Sequence, residues 1–164
     1  MNTIFIASDH NGNAARACIV RILSQIGENV IDLGPSESEG KVDYPVVAAN
    51  LCRRVLVSST FRSTYGILIC GTGAGMCIAA NRFKGIRAAL VTDKETARLS
   101  REHNDANVLV LGQWRTPIGS MEEIVRSWLD SEFGEQRHVR RLEKLELIGG
   151  VDVKIVNSKG EIIV

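Results

Sequence analysis

The chain has 164 residues, enough for one domain with a sizeable core. Its 20 Lys and Arg against 19 Asp and Glu leave a net charge of +1, which excludes a nucleic-acid binder driven by bulk charge. The longest apolar runs are only strand-length, which excludes a membrane-spanning helix and a membrane partner.

The N-terminal MNTIFIASDH lacks a basic n-region and a cleavage site, so no signal peptide is expected and a cytoplasmic location is. In chain order, Thr3 to Ala7 reads as a first strand and Ser8 to Asn13 as a polar turn. A helix follows over about Ala14 to Ile26, with Ala17, Val20, Ile22 and Leu23 among its apolar positions and Gly27 as its C-terminal stop. Asn29 to Leu33 is a second strand, and Gly34 to Lys41 a small, polar loop. Asp43 is placed to cap the next helix, with Pro45 in its first turn, and that helix runs to about Val57. After the linker Ser58 to Thr64 comes YGILICGTGAGMCIAA. Its apolar run suits a buried parallel strand, its three glycines a tight loop, and its end the start of a helix reaching about Arg82. Ile86 to Val91 is a fourth strand, Asp93 to about Glu102 a helix, Ala106 to Leu111 a fifth strand and Pro117 to Leu129 a helix.

Short apolar strands alternating with amphipathic helices define an α/β fold, a parallel sheet with helices on both faces. We expect one domain over 1–164, with a core over 1–132. A basic helical arm over 133–148 carries Arg137, His138, Arg140, Arg141 and Lys144, and a terminal hairpin spans 149–164. Arm and hairpin are expected to dock on a partner subunit.

The four cysteines, Cys18, Cys52, Cys70 and Cys77, show no CxxC spacing, and there are three histidines, so no metal site is expected. Cys18 and Cys52 read as small hydrophobes on apolar helix faces. Cys70 differs. It ends a strand and opens the glycine loop, where a helix N-terminus and loop N–H groups would favour a thiolate. A buried inert Cys is the plain alternative. In open α/β sheets ligands sit outside the carboxyl ends of the strands, where Asp9-His10, the Cys70 loop, Thr92-Asp93 and Gly112 to Arg115 fall. GxGxxG and the Walker Lys are both absent, so a nucleotide is poorly supported and no cofactor is expected. Arg137 and Arg141, four apart, would share a helix face able to hold a phosphate, or form a solvated basic face. His103 is a candidate general acid or base, or else a dipole-favoured His at a helix end.

SDHNG, VDYP, GILICGTGAGM, IAANRFKGIRAAL and REHNDANVL, taken together, resemble the ribose-5-phosphate isomerase B family, which also contains galactose-6-phosphate isomerase subunits of the lactose pathway. The likeness runs from about Thr3 to Leu142. It implies a three-layer αβα sandwich with a five-stranded, Rossmann-like parallel sheet of order 2-1-3-5-4, setting Asp9-His10 beside the Cys70 loop. It implies interconversion of D-ribose 5-phosphate and D-ribulose 5-phosphate through a cis-enediolate. Cys70 matches the base, His103 the group moving the ring-oxygen proton, and Thr72 a partner of the Cys or of a sugar hydroxyl. The N–H groups of Gly71, Gly73, Ala74 and Gly75 would stabilise the enediolate. Asp9, Tyr44 and Asn104 match sugar contacts, and His10, Arg137 and Arg141 phosphate contacts. Some members use a Glu near the loop as base; with Cys at 70, and Ala74 and Met76 unable to serve, this chain looks like the Cys type. The resemblance implies a homodimer or dimer of dimers with shared sites, and no metal. A related isomerase for allose 6-phosphate, galactose 6-phosphate or a tetrose phosphate is the alternative enzyme, and a non-catalytic sugar-phosphate binding subunit the alternative of another class. Two departures stand out. Trp114 occupies a position where the family often has Arg, with Arg115 one residue later, and Val151 to Val164 extends past the usual family end.

Overall fold

A parallel strand covered on both faces must be apolar at nearly every position, because its side chains alternate between two buried layers. The sequence meets that demand at its centre. The computed structural model describes residues 1–35, 40–58, 63–134 and 137–147. In chain order the elements are β1 (Thr3–Ser8), α1 (Asn13–Gln25), β2 (Asn29–Asp32), α2 (Tyr44–Leu56), β3 (Thr64–Cys70), α3 (Ala74–Ala80), β4 (Ala88–Leu90), α4 (Lys94–Asn104), β5 (Val108–Gly112), α5 (Ile118–Leu129) and α6 (Arg137–Leu147). The five strands form one sheet of order β2-β1-β3-β5-β4, every pair parallel. This is the αβα architecture and strand order that the family resemblance implies.

The pleat sorts the core into two layers. Ile4, Ile6, Ile67, Ile69, Leu109 and Leu111 meet Ala15, Ile19 and Leu23 of α1, Ala97 of α4 and the apolar face of α5. Phe5, Ala7, Leu68, Cys70, Val108 and Val110 point the other way, onto Ala48, Leu51, Cys52 and Val55 of α2 and Met76 and Ala80 of α3. Cys70 therefore belongs to the α2/α3 side. Trp128, fully buried, packs edge-on to Tyr65, and the Arg101 guanidinium lies over both rings.

Element ends follow local chemistry. Gly27, at φ 82°, closes α1: its N–H donates to the Ser24 carbonyl and the Glu28 N–H to that of Leu23, a Schellman turn. Asp43 stands at the N-cap of α2 as expected, but its backbone carbonyl, not its carboxylate, accepts the Val46 N–H. Asp93 caps α4 with its side chain, accepting the Thr96 N–H at 2.8 Å. The fourth strand is shorter than the apolar run over 86–91 predicts. The Arg87 N–H donates to the Asn107 side chain at 2.8 Å, outside the ladder, so pairing starts at Ala88. The basic arm is helical, as expected, over Arg137–Leu147. The terminal hairpin lies outside the described residues. Among the described residues no helix is long and apolar enough to cross a membrane.

Ile67 and Leu68 are both fully buried on the central strand and face opposite layers. Ile67→Ala and Leu68→Ala should each lower stability by about 2–5 kcal/mol in urea unfolding. A loss under half a kilocalorie in either would show that its layer is not close-packed.

Candidate active site

The strand order turns back between β1 and β3: β2 lies to one side of β1, and β3 and all later strands to the other. The carboxyl ends of β1 and β3 flank that switch point, the usual ligand crevice of an open α/β sheet. Cys70 ends β3 and is 5% exposed. Its sulfur accepts the backbone N–H of Gly73 at 3.1 Å, a contact that suits a thiolate. The loop geometry depends on missing side chains. Gly73 has φ 81°, and a Cβ there would come within 2.3 Å of Leu90. A Cβ on Gly112 would sit 2.5 Å from the Thr72 carbonyl. Two backbone bonds hold the loop from β5: the Gln113 N–H donates to the Cys70 carbonyl and the Trp114 N–H to that of Gly71, both at 2.9 Å. Thr72 is exposed; its hydroxyl accepts the Ala74 N–H at 3.4 Å and does not reach back to Cys70 in that role.

Asp9 and His10 lie beside this loop, as the resemblance implies. The Asp9 N–H donates to the Ile69 carbonyl at 3.0 Å. The Asp9 carboxylate is 5% exposed and accepts the Asn11 N–H at 2.8 Å, an Asx turn. His10 is exposed, its Nε2 3.2 Å from the Asn11 amide. The Tyr44 ring, at the start of α2, lies against Gly75. Asp9, His10, Tyr44, Cys70, Thr72 and the 71–75 loop thus come together at one end of the sheet. Two further neighbours come from the Gly112 to Arg115 stretch expected at the strand ends, where neither was given a contact. Gln113 braces the loop and also accepts the Ala15 N–H at 2.9 Å through its side chain. Trp114, 64% exposed, lays its indole against Gly71. A polar and an aromatic residue directly after an apolar strand were the available signal.

The remaining predicted residues gather elsewhere. His103 and Asn104 end α4, which runs back against the strands, so they precede Val108, the first residue of β5. Cys70 is level with Gly112, the last. Four strand steps separate the two levels, about 13 Å along the sheet. One chain therefore does not bring His103 to Cys70. His103 instead stacks on His138 of α6, ring centroids 4.4 Å apart and planes 11° from parallel. Arg137 and Arg141 are exposed on that same helix. A cleft of about 720 Å³ opens there, lined by Arg98, Glu102, His103, Arg137 and His138 among others. Burial first, then the charges of His103, Arg137 and Arg141, push the His138 imidazole below its usual pKa. Burial also acts on Cys52, in the opposite direction: it pushes the thiol up to about 12 and leaves it inert. Among the described residues no group of three or more His, Cys, Asp or Glu could hold a metal ion.

A strand-end cysteine in a helix-opening loop, on a doubly wound parallel sheet, defines a Rossmann-like protein with a small-molecule site. Residues 4–145 match the family described as Ribose/Galactose Isomerase, and the chain belongs to that family. It is 43% identical over 142 residues to a probable ribose-5-phosphate isomerase B of Mycoplasma pneumoniae, covering 87% of this chain and 91% of the relative. It is 39% identical over 148 residues to ribose-5-phosphate isomerase B of Escherichia coli, covering 90% and 97%. Among solved structures, ribose-5-phosphate isomerase B of Mycoplasma genitalium with bound ribulose-5-phosphate superposes with a TM-score of 0.84 at 41% identity, covering 89% of this chain and 95% of that one.

His138 gives a pH test. Its folded-state pKa lies below the unfolded value, so around and just below pH 6.5 the unfolded chain binds more protons. Stability is therefore full above that range and falls as pH drops through it. The urea midpoint should decline between about pH 7.5 and 5.5, and His138→Phe, which keeps a ring against His103, should flatten the decline. An equal decline in both proteins would remove His138 as its source.

Proposed function

We propose that this chain interconverts D-ribose 5-phosphate and D-ribulose 5-phosphate. The observation that carries the reading is the Gly73 N–H held on the sulfur of a cysteine at the switch point of the sheet. His103 gives a proton to the ring oxygen as its bond to C1 breaks, and the anomeric hydroxyl gives its own proton to water as the aldehyde forms. The Cys70 thiolate then removes the proton from C2. The electron pair forms the C1–C2 double bond, and charge gathers on O1. Loop N–H groups of Gly71, Gly73, Ala74 and Gly75 stabilise that cis-enediolate, as preorganised donors do at any developing oxyanion. The O2 hydroxyl passes its proton to O1, and Cys70 returns its own proton to C1 as the C2 ketone forms. Thr72, Asp9, Tyr44 and Asn104 bind sugar hydroxyls, and His10, Arg137 and Arg141 bind the phosphate.

Those roles need two copies of the chain. Cys70, Asp9, His10 and Tyr44 come from one subunit, and His103, Asn104, Arg137 and Arg141 from the next. The separation of the two groups along a single sheet supports this, as does the exposure of both arginines. A closed dimer in which each copy lends its α4–α6 end to the other gives two equivalent sites.

Cys70→Ala and His103→Ala should each be nearly inactive alone. Unfolded together and refolded as an equal mixture, they should recover about a quarter of wild-type activity, since half the dimers are mixed and each mixed dimer holds one intact site. Recovery of nothing would sink the shared site. Wild-type turnover by Cys70→Ala would sink Cys70 as the base. A panel of aldose phosphates with five and six carbons, run on the wild type, tests the choice of substrate.

A further inference from the structure

Asp105 follows His103 and Asn104 directly and has no part in the chemistry just described. It is the one non-glycine residue with positive φ among those described, at φ 45° and ψ 45°. Left-handed backbone costs an L-residue roughly 1 kcal/mol or more, so something must hold it there. The holding groups are two arginines. Arg87 donates to the Asp105 carboxylate at 2.6 Å, and its Nε also donates to the carbonyls of Asn104 at 3.1 Å and Asp105 at 2.9 Å. Arg101 donates to the other carboxylate oxygen at 3.2 Å and to the Ala106 carbonyl at 2.7 Å. Arg101 is itself fixed to the core, by a bond to the Tyr65 hydroxyl at 3.0 Å and by its position over the Tyr65 and Trp128 rings. The carboxylate thus joins the end of α4 to Arg101, whose guanidinium is fixed to the core, and to Arg87, which also pairs with Glu146 of α6 at 3.6 Å. A free helix end frays, and His103 and Asn104 would move with it.

We propose that Asp105 is a positioning residue: gripped by Arg87 and Arg101, it fixes the left-handed helix end that presents His103 and Asn104 to the substrate. The inference rests on the isomerase reading above for its effect on turnover, and on geometry alone for its effect on the turn. No residue assigned to the phosphate is part of the grip, so phosphate recognition should survive its loss.

The test compares wild type, Asp105→Asn and Asp105→Ala. Asn tolerates left-handed backbone but lacks the charge, whereas Ala lacks both the charge and that tolerance. The readouts are kcat for ribose 5-phosphate, the inhibition constant of inorganic phosphate, and amide hydrogen exchange along α4. The expected kcat loss is about three- to tenfold for Asn and larger for Ala, as for a misplaced proton-transfer group. The phosphate inhibition constant should stay within about twofold, because the groups assigned to it are charge-assisted donors outside the grip. Exchange should quicken at Asn104 to Ala106 and stay slow in the sheet. Wild-type kcat in Asp105→Ala, unchanged exchange at the turn, or parallel loss of turnover and phosphate inhibition would each overturn the proposal. Should the wild-type protein turn over no sugar phosphate, the isomerase reading falls, and exchange at the turn alone decides whether Asp105 holds the helix end.

Discussion

The contact on which the carboxyl-end site depends is the backbone N–H of Gly73 donated to the sulfur of Cys70. A side chain at the end of a buried strand is ordinarily packing material, and Cys70 does face the α2/α3 layer among apolar neighbours. What distinguishes it is a loop that folds straight back over it. That fold requires a left-handed residue at 73 and no Cβ at 112, and it is held by two bonds from the segment after β5. Strand, loop and helix N-terminus are then one rigid unit, with its donors aimed before any ligand arrives.

The second constraint is topological. In a parallel sheet each crossover helix starts near the carboxyl edge of the strands and ends near the amino edge. Asp93, capping α4, lies near one edge and His103, in its last turn, near the other. No loop rearrangement inside a single chain exchanges those ends. The proposed chemistry, which needs both Cys70 and His103, would consequently run between copies, with the amphipathic α6, carrying Arg137 and Arg141 beside His103, on the proposed lending half.

Much of this was legible in the sequence. The apolar strands, their alternation with helices, Gly27 as a stop and a helix starting about Asp93 all rest on local chemistry, and local chemistry is what a sequence displays. The approach of Asp9 to the Cys70 loop followed from the strand order that the resemblance implies. Less legible were contacts that depend on three dimensions. Asp43 carries the right side chain for a cap but uses its carbonyl. The His103–His138 stack joins residues 35 positions apart in the chain, and nothing in either segment announces it. Trp114 stood out as a departure from the family pattern, yet only the backbone path after Gly112 shows it resting on Gly71. Asp105 looked like one letter of a motif, and its left-handed backbone appears only in the fold.

The chain has two tryptophans, and the fold gives them opposite surroundings. Trp128 is sealed in the core at 0% exposure, while Trp114 stands 64% exposed over the glycine loop. Indole emission shifts with the polarity around the ring, so the two report at different wavelengths and differ in access to a dissolved quencher. The protein therefore contains two optical channels without any label. The blue one follows whether the sandwich is intact, and the red one follows what settles at the mouth of the Cys70 loop. Because that mouth is also where a second copy or a sugar phosphate would arrive, the red channel separates arrival from folding in a single titration.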